Sequence, residues 1–196
     1  MAQRQLSSLE KKLQRSYKLF FIIAIICIPV ILFLANMLGF FFKEVKNNDE
    51  LYNFFVKGDE LGIFSEKEVT HLYEVKDLAK NGVYTLTITL AILIISLIIL
   101  HYKSKEQVNK SFLYGSYLTI ILFFMLVILV ITNFNFLFTN FHRIFFQTNN
   151  WLLNENDLLI TLFPLSFFLN TTAKIFISII LESIFIIILA QNRSKL

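Results

Sequence analysis

Four long apolar runs, each nearly free of charge, constrain this 196-residue chain more than any other feature. They are Leu19–Phe42, Tyr84–Tyr102, Phe112–Phe134 and Ala173–Ala190. A helix needs about 20 apolar residues to cross a bilayer, and each run is close to that length. Hydrophobic residues make up 56% of the chain and charged residues 16%, a composition that a soluble fold of this size cannot bury. The sequence therefore predicts one all-α integral membrane domain over residues 1–196 with four transmembrane helices.

Basic residues are concentrated in three of the segments that flank these runs. Residues 1–18, the loop 103–111 and the tail with Arg193 and Lys195 together hold ten Lys and Arg, whereas the longer segments 43–83 and 135–172 hold seven. The positive-inside rule then places both termini in the cytoplasm and the two long segments outside. The net charge of +4 is explained by cytoplasmic flanks that meet anionic membrane lipids, so we expect no nucleic-acid partner.

The first outer segment, 43–83, contains a predicted amphipathic helix. Ser65 and Glu68 form a capping box, and Asn81-Gly82 is a plausible end. His71 lies on this helix, and the carboxylates of Glu68 and Glu74 stand three residues away on either side. We expect these carboxylates to raise the basicity of the histidine and to fix its tautomer.

The second outer segment, 135–172, is rich in Phe and Leu, unlike a loop in water. Its first half places a set of aromatic residues on one helical face: Phe134, Phe138, Phe141 and Phe145. This pattern predicts two short interfacial or partly re-entrant elements, joined near Asn149-Asn150. Backbone at membrane depth must be covered by protein or line a cavity, so such elements are expected to roof a site.

His142 and Arg143 form a polar pair within this aromatic segment, which is costly unless the pair faces a cavity. One outer histidine therefore lies in each outer segment, at the same membrane face. His101, at the cytoplasmic end of the second span, is explained as a helix-end residue. The candidate partners of the two outer histidines are Ser65, Tyr73, Glu74, Asn140, Gln147 and Asn150.

Other common catalytic chemistry has no signature in the sequence. Metalloprotease, serine-hydrolase and phosphate-loop motifs are missing, and the single Cys27 lies within a span, where a thiolate is unfavourable. What remains is a histidine-based general acid/base site that requires neither a covalent nucleophile nor a metal.

Two stretches resemble a known family. Residues 64–78 read FSEKEVTHLYEVKDL, similar to a pattern F-S-E-x-E-x-x-H-x-x-D-V-K-x-L. Residues 141–168 are similar to a pattern F-H-x-x-F-F…W…D-x-L-I…F-P-x-x-F-F, with Trp151 as its tryptophan. Both resemble the four-span lipoprotein intramolecular transacylase family (Lit). Glu74 departs from the pattern by standing where Asp is expected, and Leu165 by standing where an acid is expected.

The resemblance implies a bacterial cell-membrane acyltransferase with its active site at the outer leaflet. Members move the sn-2 acyl chain of a diacylglyceryl-modified lipoprotein Cys onto its own N-terminal amine, giving the lyso-form without a second substrate or a cofactor. On this interpretation His71 is the general base, backed by Glu74 or Glu68, and His142 orients the reacting groups or stabilises the developing charge. The reverse assignment of the two histidines stays open. Supporting or substrate-binding roles fall to Glu68, Tyr73, Glu74, Arg143 and Trp151.

Two alternatives stay open on the sequence. Glu182, a carboxylate near the middle of the fourth apolar run, would suit a small transporter or channel component. A second membrane acid and an inverted repeat, which such proteins commonly have, are missing. The acidic outer segment 43–83 would also suit a membrane scaffold without enzymatic activity.

Overall fold

The computed structural model describes residues 2–193, and those residues form helices and loops with no strand. Lys195, counted above with the C-terminal flank, lies outside the described residues. The helices are α1 (Ala2–Lys46), α2 (Asp49–Tyr52, continued by one π-helical turn, Asn53–Lys57), α3 (Glu66–Lys103), α4 (Lys105–Phe145), α5 (Leu158–Leu162) and α6 (Leu165–Arg193).

Four of these helices, α1, α3, α4 and α6, are long and apolar enough to cross a membrane. The predicted fold class of an all-α membrane protein with four transmembrane helices is therefore confirmed. Each helix extends beyond its predicted apolar run, because backbone hydrogen bonds continue into the polar flanks. Phe167 and Phe168, which the sequence placed in the second outer segment, belong to α6.

The predicted helix end at Asn81-Gly82 is wrong, since α3 continues through both residues into the second span. Gly82 allows a close approach between helices instead of a turn. A Cβ atom at this position would lie 3.3 Å from Cδ2 of Leu38, on α1. The charged part of α3, residues 66–83, therefore leads directly into the predicted span 84–102 and carries His71.

Asn133 interrupts α4, with φ −157° and ψ 72°. Its side-chain Oδ1 accepts a hydrogen bond from the Phe136 N–H at 3.0 Å, so Asn133 caps a new helical segment. This segment, 134–145, is named here the Phe-rich segment. Its predicted aromatic face is confirmed by ring contacts of Phe134 with Phe138 and of Phe141 with Phe145.

The chain forms two compact units. One comprises the chain up to Phe33, Leu86–Phe123 and the chain from Ile179. Its core is formed by Ala24, Cys27, Ile28, Leu93 and Leu100. The single domain expected from the sequence stays a prediction.

The other unit comprises Leu34–Thr85 and Phe124–Ser178, and so holds both predicted outer segments. Its core combines residues of α2, the π-helical turn, the loop before α3, α3 and α5: Leu51, Phe54, Phe64, Leu72 and Leu159. Since both outer segments contribute to one core, residues distant in the sequence are brought side by side.

Candidate active site

The two outer histidines meet in the second unit. His71 comes from the charged part of α3 and His142 from the Phe-rich segment of α4. Their ring centroids are 6.0 Å apart, and the ring planes are inclined by 34°. Two imidazoles that are 71 positions apart in the chain therefore lie within reach of one small reacting group.

Aromatic rings surround the histidines. His142 is 8% exposed, and its ring centroid lies 4.1 Å from that of Phe138, 4.9 Å from that of Trp151 and 5.1 Å from that of Phe146. Phe146 also packs edge-on against His71 at 4.8 Å. Phe146 thus contacts both imidazoles, and the pair lies in an apolar environment.

The tautomer of His142 follows from a backbone contact. Its Nδ1 lies 2.7 Å from the carbonyl oxygen of Phe138, one helical turn earlier. Because a carbonyl oxygen only accepts hydrogen bonds, the neutral ring carries its proton on Nδ1. The lone pair is then on Nε2, which is the atom available to accept a proton from a substrate.

His71 is held differently. Its Nδ1 is buried and has no hydrogen-bond partner among the described residues, and the nearest carboxylate oxygen, Oε2 of Glu74, is 3.9 Å away. That distance is too long for a hydrogen bond. Burial, and then the neighbouring His142, lower the pKa of His71 to about 4, against an opposing effect of Glu74. The expectation that the carboxylates raise its basicity is therefore wrong, since desolvation of the charged ring outweighs the attraction of Glu74.

Glu74 uses its carboxylate to hold a different part of the chain. Oε1 accepts hydrogen bonds from the backbone N–H groups of Gln147 and Thr148, at 3.1 and 3.0 Å. Oε2 accepts from the Thr148 hydroxyl at 3.0 Å. Glu74 therefore ties α3 to the turn that follows α4. Thr148 was missed by the sequence analysis, because nothing local marks it as a partner of a residue 74 positions earlier.

Glu68 also connects the two outer segments. It is 3% exposed, and its Oε2 accepts from the Ser65 N–H and hydroxyl at 2.8 Å, which confirms the capping box. Its Oε1 accepts from the N–H of Leu159 at 2.7 Å. Burial raises the pKa of Glu68, but hydrogen bonds from Leu159 and Ser65 outweigh burial and lower it overall. Glu68 thus anchors α5 to the first turn of α3.

Among the other predicted residues, one contacts a histidine ring and the rest lie elsewhere. Trp151 lies against His142, whereas Arg143 is exposed on the Phe-rich segment, and Tyr73 is half exposed and packs edge-on against Phe54. Asn140 donates to the carbonyl of Phe136 at 2.8 Å, and Asn150 donates its N–H to the Thr148 hydroxyl. Of these residues, the structure brings only Trp151 into ring contact with a histidine.

Phe138 and Phe146 are site residues that the sequence showed only as part of an apolar pattern. The signal for Phe138 is its position four residues before His142, which places its carbonyl beside the imidazole. No group of three His, Cys, Asp or Glu residues in the described part of the chain is arranged to hold a metal ion.

Comparison with known proteins gives the same family as the sequence patterns. The family model described as lipoprotein intramolecular transacylase Lit matches residues 44–168, which is more than half of the chain. The in meso structure of the membrane integral lipoprotein intramolecular transacylase Lit from Bacillus cereus has a TM-score of 0.76 at 23% identity, covering 93% of this chain and 97% of that one.

A variant of the Bacillus cereus protein with one histidine replaced by arginine gives a TM-score of 0.74 at 23% identity, covering 100% of this chain and 97% of that chain. A variant with alanine at that histidine gives 0.74 at 22% identity, covering 96% and 97%. No curated protein matches this chain by sequence. The structural similarity shows a shared fold, and the family match shows the family and its role. The chain belongs to the lipoprotein intramolecular transacylase (Lit) family and is a multi-pass membrane enzyme with a lipoprotein transacylase role.

Proposed function

We propose that the His71–His142 pair moves the sn-2 acyl chain of a diacylglyceryl-modified lipoprotein Cys onto the free amine of that same Cys. The observation that carries this proposal is the meeting of two imidazoles, from different helices, in one aromatic site. The product is the lyso-form lipoprotein, with a free hydroxyl on the glyceryl group.

The reaction needs few groups from the protein. The amine and the ester belong to one substrate molecule, so much of the proximity is already present. A bond forms between the amine nitrogen and the acyl carbon, and the bond from that carbon to the glyceryl oxygen breaks. The proton lost by the amine ends on the glyceryl oxygen, so atoms balance without a second substrate or a cofactor. A base, a proton donor and stabilisation of a tetrahedral oxyanion are the remaining requirements.

The two histidines suit these requirements in different ways. The fixed tautomer of His142 presents a lone pair at Nε2, which favours His142 as the base that receives the amine proton. The same nitrogen then returns the proton to the leaving oxygen. His71, at 6.0 Å between ring centroids, is placed to stabilise the developing charge. This assignment reverses the one favoured by the sequence, in which His71 had two carboxylates as partners.

The proposal also includes a location. With both termini in the cytoplasm, as the basic flanks indicate, the His71–His142 site lies at the outer leaflet of the bacterial cell membrane. A lipoprotein anchored there by its acyl chains reaches the site without leaving the lipid. Exposed apolar residues of the Phe-rich segment, among them Phe136 and Phe145, would contact membrane lipids and the acyl chains.

Tandem mass spectrometry of a synthetic diacylglyceryl lipopeptide, incubated with the purified protein, tests the function. The intact mass stays the same, but fragments containing an N-acylated Cys should appear. They should be lost with His71→Gln and with His142→Gln. They should be kept with His101→Gln, the matched control at the C-terminal end of α3. A free amine that persists with folded wild-type protein would contradict the proposal.

A further inference from the structure

Hydrogen bonds to the carboxylate of Glu74 connect α3 to the turn that follows α4, residues 146–151. Three hydrogen bonds of 3.0 to 3.1 Å run from Gln147 and Thr148 to the carboxylate of Glu74. The Thr148 hydroxyl also accepts the N–H of Asn150 at 3.3 Å, which extends the contact along the turn. Charge-assisted hydrogen bonds of this kind are about twice as strong as neutral ones.

This contact leaves the Glu74 carboxylate little capacity to serve His71. A carboxylate has about four lone-pair positions, and three hydrogen bonds are already made to the turn. The nearest approach between Glu74 Oε2 and His71 Nδ1 is 3.9 Å, and Nδ1 has no other partner in the described part of the chain.

The turn contributes two aromatic residues that line the histidine site. Phe146, at its start, contacts His71 at 4.8 Å and His142 at 5.1 Å between ring centroids. Trp151, at its end, lies 4.9 Å from the His142 ring. A shift of the turn would therefore move both aromatic rings relative to the imidazoles.

The length of the Glu74 side chain is suited to this contact. Aspartate at the same position would be shorter by one carbon–carbon bond, about 1.5 Å. The oxygens would then lie well beyond hydrogen-bond distance from Gln147 and Thr148. Glutamine, by contrast, keeps the length: its carbonyl oxygen can accept from both N–H groups, and its amide can donate to the Thr148 hydroxyl.

We propose that Glu74 is a positioning residue that clamps the 146–151 turn, and thereby seats Phe146 and Trp151 against His71 and His142. Its role is not that of a charged partner of His71. This inference rests on the proposed function, because the histidines are taken as the catalytic pair.

Two substitutions distinguish a role of Glu74 in holding the turn from a role as the charged partner of His71. Glu74→Gln keeps the length and loses the charge, whereas Glu74→Asp keeps the charge and loses the length. If Glu74 is a clamp, Glu74→Gln should retain most of the N-acylation rate, and Glu74→Asp should lose on the order of 10- to 100-fold, as displacements near 1 Å do elsewhere. Asp77→Asn, at an exposed acid on the same helix, is the control for a lost charge.

Trp151 gives a readout that does not depend on activity, since it is the single Trp of the chain. Quenching of its fluorescence by acrylamide should match wild type in Glu74→Gln and increase in Glu74→Asp. Thr148→Val removes the hydroxyl's hydrogen bond to Glu74 and its contact with the Asn150 N–H, but it keeps the two backbone hydrogen bonds to Glu74. It should lower the N-acylation rate and increase the quenching of Trp151, each by less than Glu74→Asp does. This variant also keeps the test decisive if Glu74→Asp fails to fold.

The opposite pattern would overturn the inference: an inactive Glu74→Gln and an active Glu74→Asp, with Trp151 unchanged in both. Wild-type rates and wild-type quenching in all three variants would overturn it as well. If wild type gives no N-acylated product, the proposed function fails on its own, and the quenching series still decides whether Glu74 holds the turn.

Discussion

The Nδ1 atom of His142 lies 2.7 Å from the carbonyl oxygen of Phe138, within the helical segment that Asn133 begins. This backbone contact assigns one nitrogen of the imidazole to orientation and leaves the other for chemistry. It also holds the ring between Phe138 and Trp151. The two nitrogens can therefore be tested separately.

Replacing His142 with asparagine should preserve the orientation contact and remove the reactive nitrogen. Asn140 already donates to the carbonyl four residues earlier on the same segment, so an amide at 142 can do the same. We expect His142→Asn to lower the N-acylation rate by roughly 10²- to 10⁴-fold, the usual contribution of a general base. Its unfolding temperature should stay close to that of wild type. Substantial activity in this variant would exclude Nε2 of His142 as the base.

The pH dependence of activity should follow the ionisation of the substrate amine and not that of His71. Because burial lowers the pKa of His71 to about 4, this ring is neutral throughout the working range. The attacking amine must also be neutral, and an α-amino group titrates near 8. We expect kcat/KM to rise with pH and to level off above about 8.5, measured with the diacylglyceryl lipopeptide in detergent. An acid limb that moves when the amine is N-methylated would support this origin, and one that moves only in His71 variants would contradict it.

The free energy of unfolding should depend on pH because His71 titrates at different pH values in the folded and unfolded states. Its folded pKa of about 4 is below the unfolded value of 6.5, so the unfolded state binds more protons between these two values. The free energy of unfolding should therefore fall as pH drops from 6.5 towards 4, by at most roughly 3 kcal/mol. Thermal unfolding of wild type and His71→Gln across this range checks the prediction. Equal slopes in the two proteins would assign the pH dependence to other groups.

Glu68 should matter more for stability than its capping partner. Glu68→Ala leaves the buried N–H of Leu159 without its partner and removes the carboxylate that accepts the Ser65 N–H in the capping box, a cost of about 3 kcal/mol. Ser65→Ala removes the hydroxyl's hydrogen bond to Glu68 Oε2 and its longer contact with the Glu68 N–H, and should cost about 1 kcal/mol. Unfolding temperatures in the same detergent compare the two. Equal losses would mean that the contact with Leu159 contributes nothing.

Gly115 and Gly39 form a matched pair for packing. A Cβ atom at Gly115 would overlap Cδ1 of Ile28 and lie 2.9 Å from its Cβ, whereas one at Gly39 would have nothing within 4 Å. Gly115→Ala should destabilise the protein by about 1 to 3 kcal/mol through overpacking. Gly39→Ala should be neutral or stabilising by up to about 1 kcal/mol, because alanine favours the helix. Thermal unfolding with the opposite ranking would contradict the tight approach of Ile28.

Local patterns account for much of the architecture. The apolar runs identify the four long helices, because a helix satisfies its own backbone and needs only an apolar surface to enter lipid. The capping box at Ser65 and the aromatic face that includes Phe138 are also properties of short stretches of sequence. The helix end expected at Gly82 is wrong. The glycine instead leaves space for the side chain of Leu38, which is distant in sequence and packs closely against α3 at this point.

The arrangement of the site depends on contacts between distant parts of the chain. Glu74 stands three residues from His71, yet its hydrogen bonds go to Gln147 and Thr148. The sequence predicted a more basic His71, but the fold buries this ring beside Phe146, and desolvation lowers its pKa. Spacing along a helix shows which groups are near one another. Which partner a buried group takes, and how strongly burial disfavours its charge, follow from the packing of both outer segments into one core.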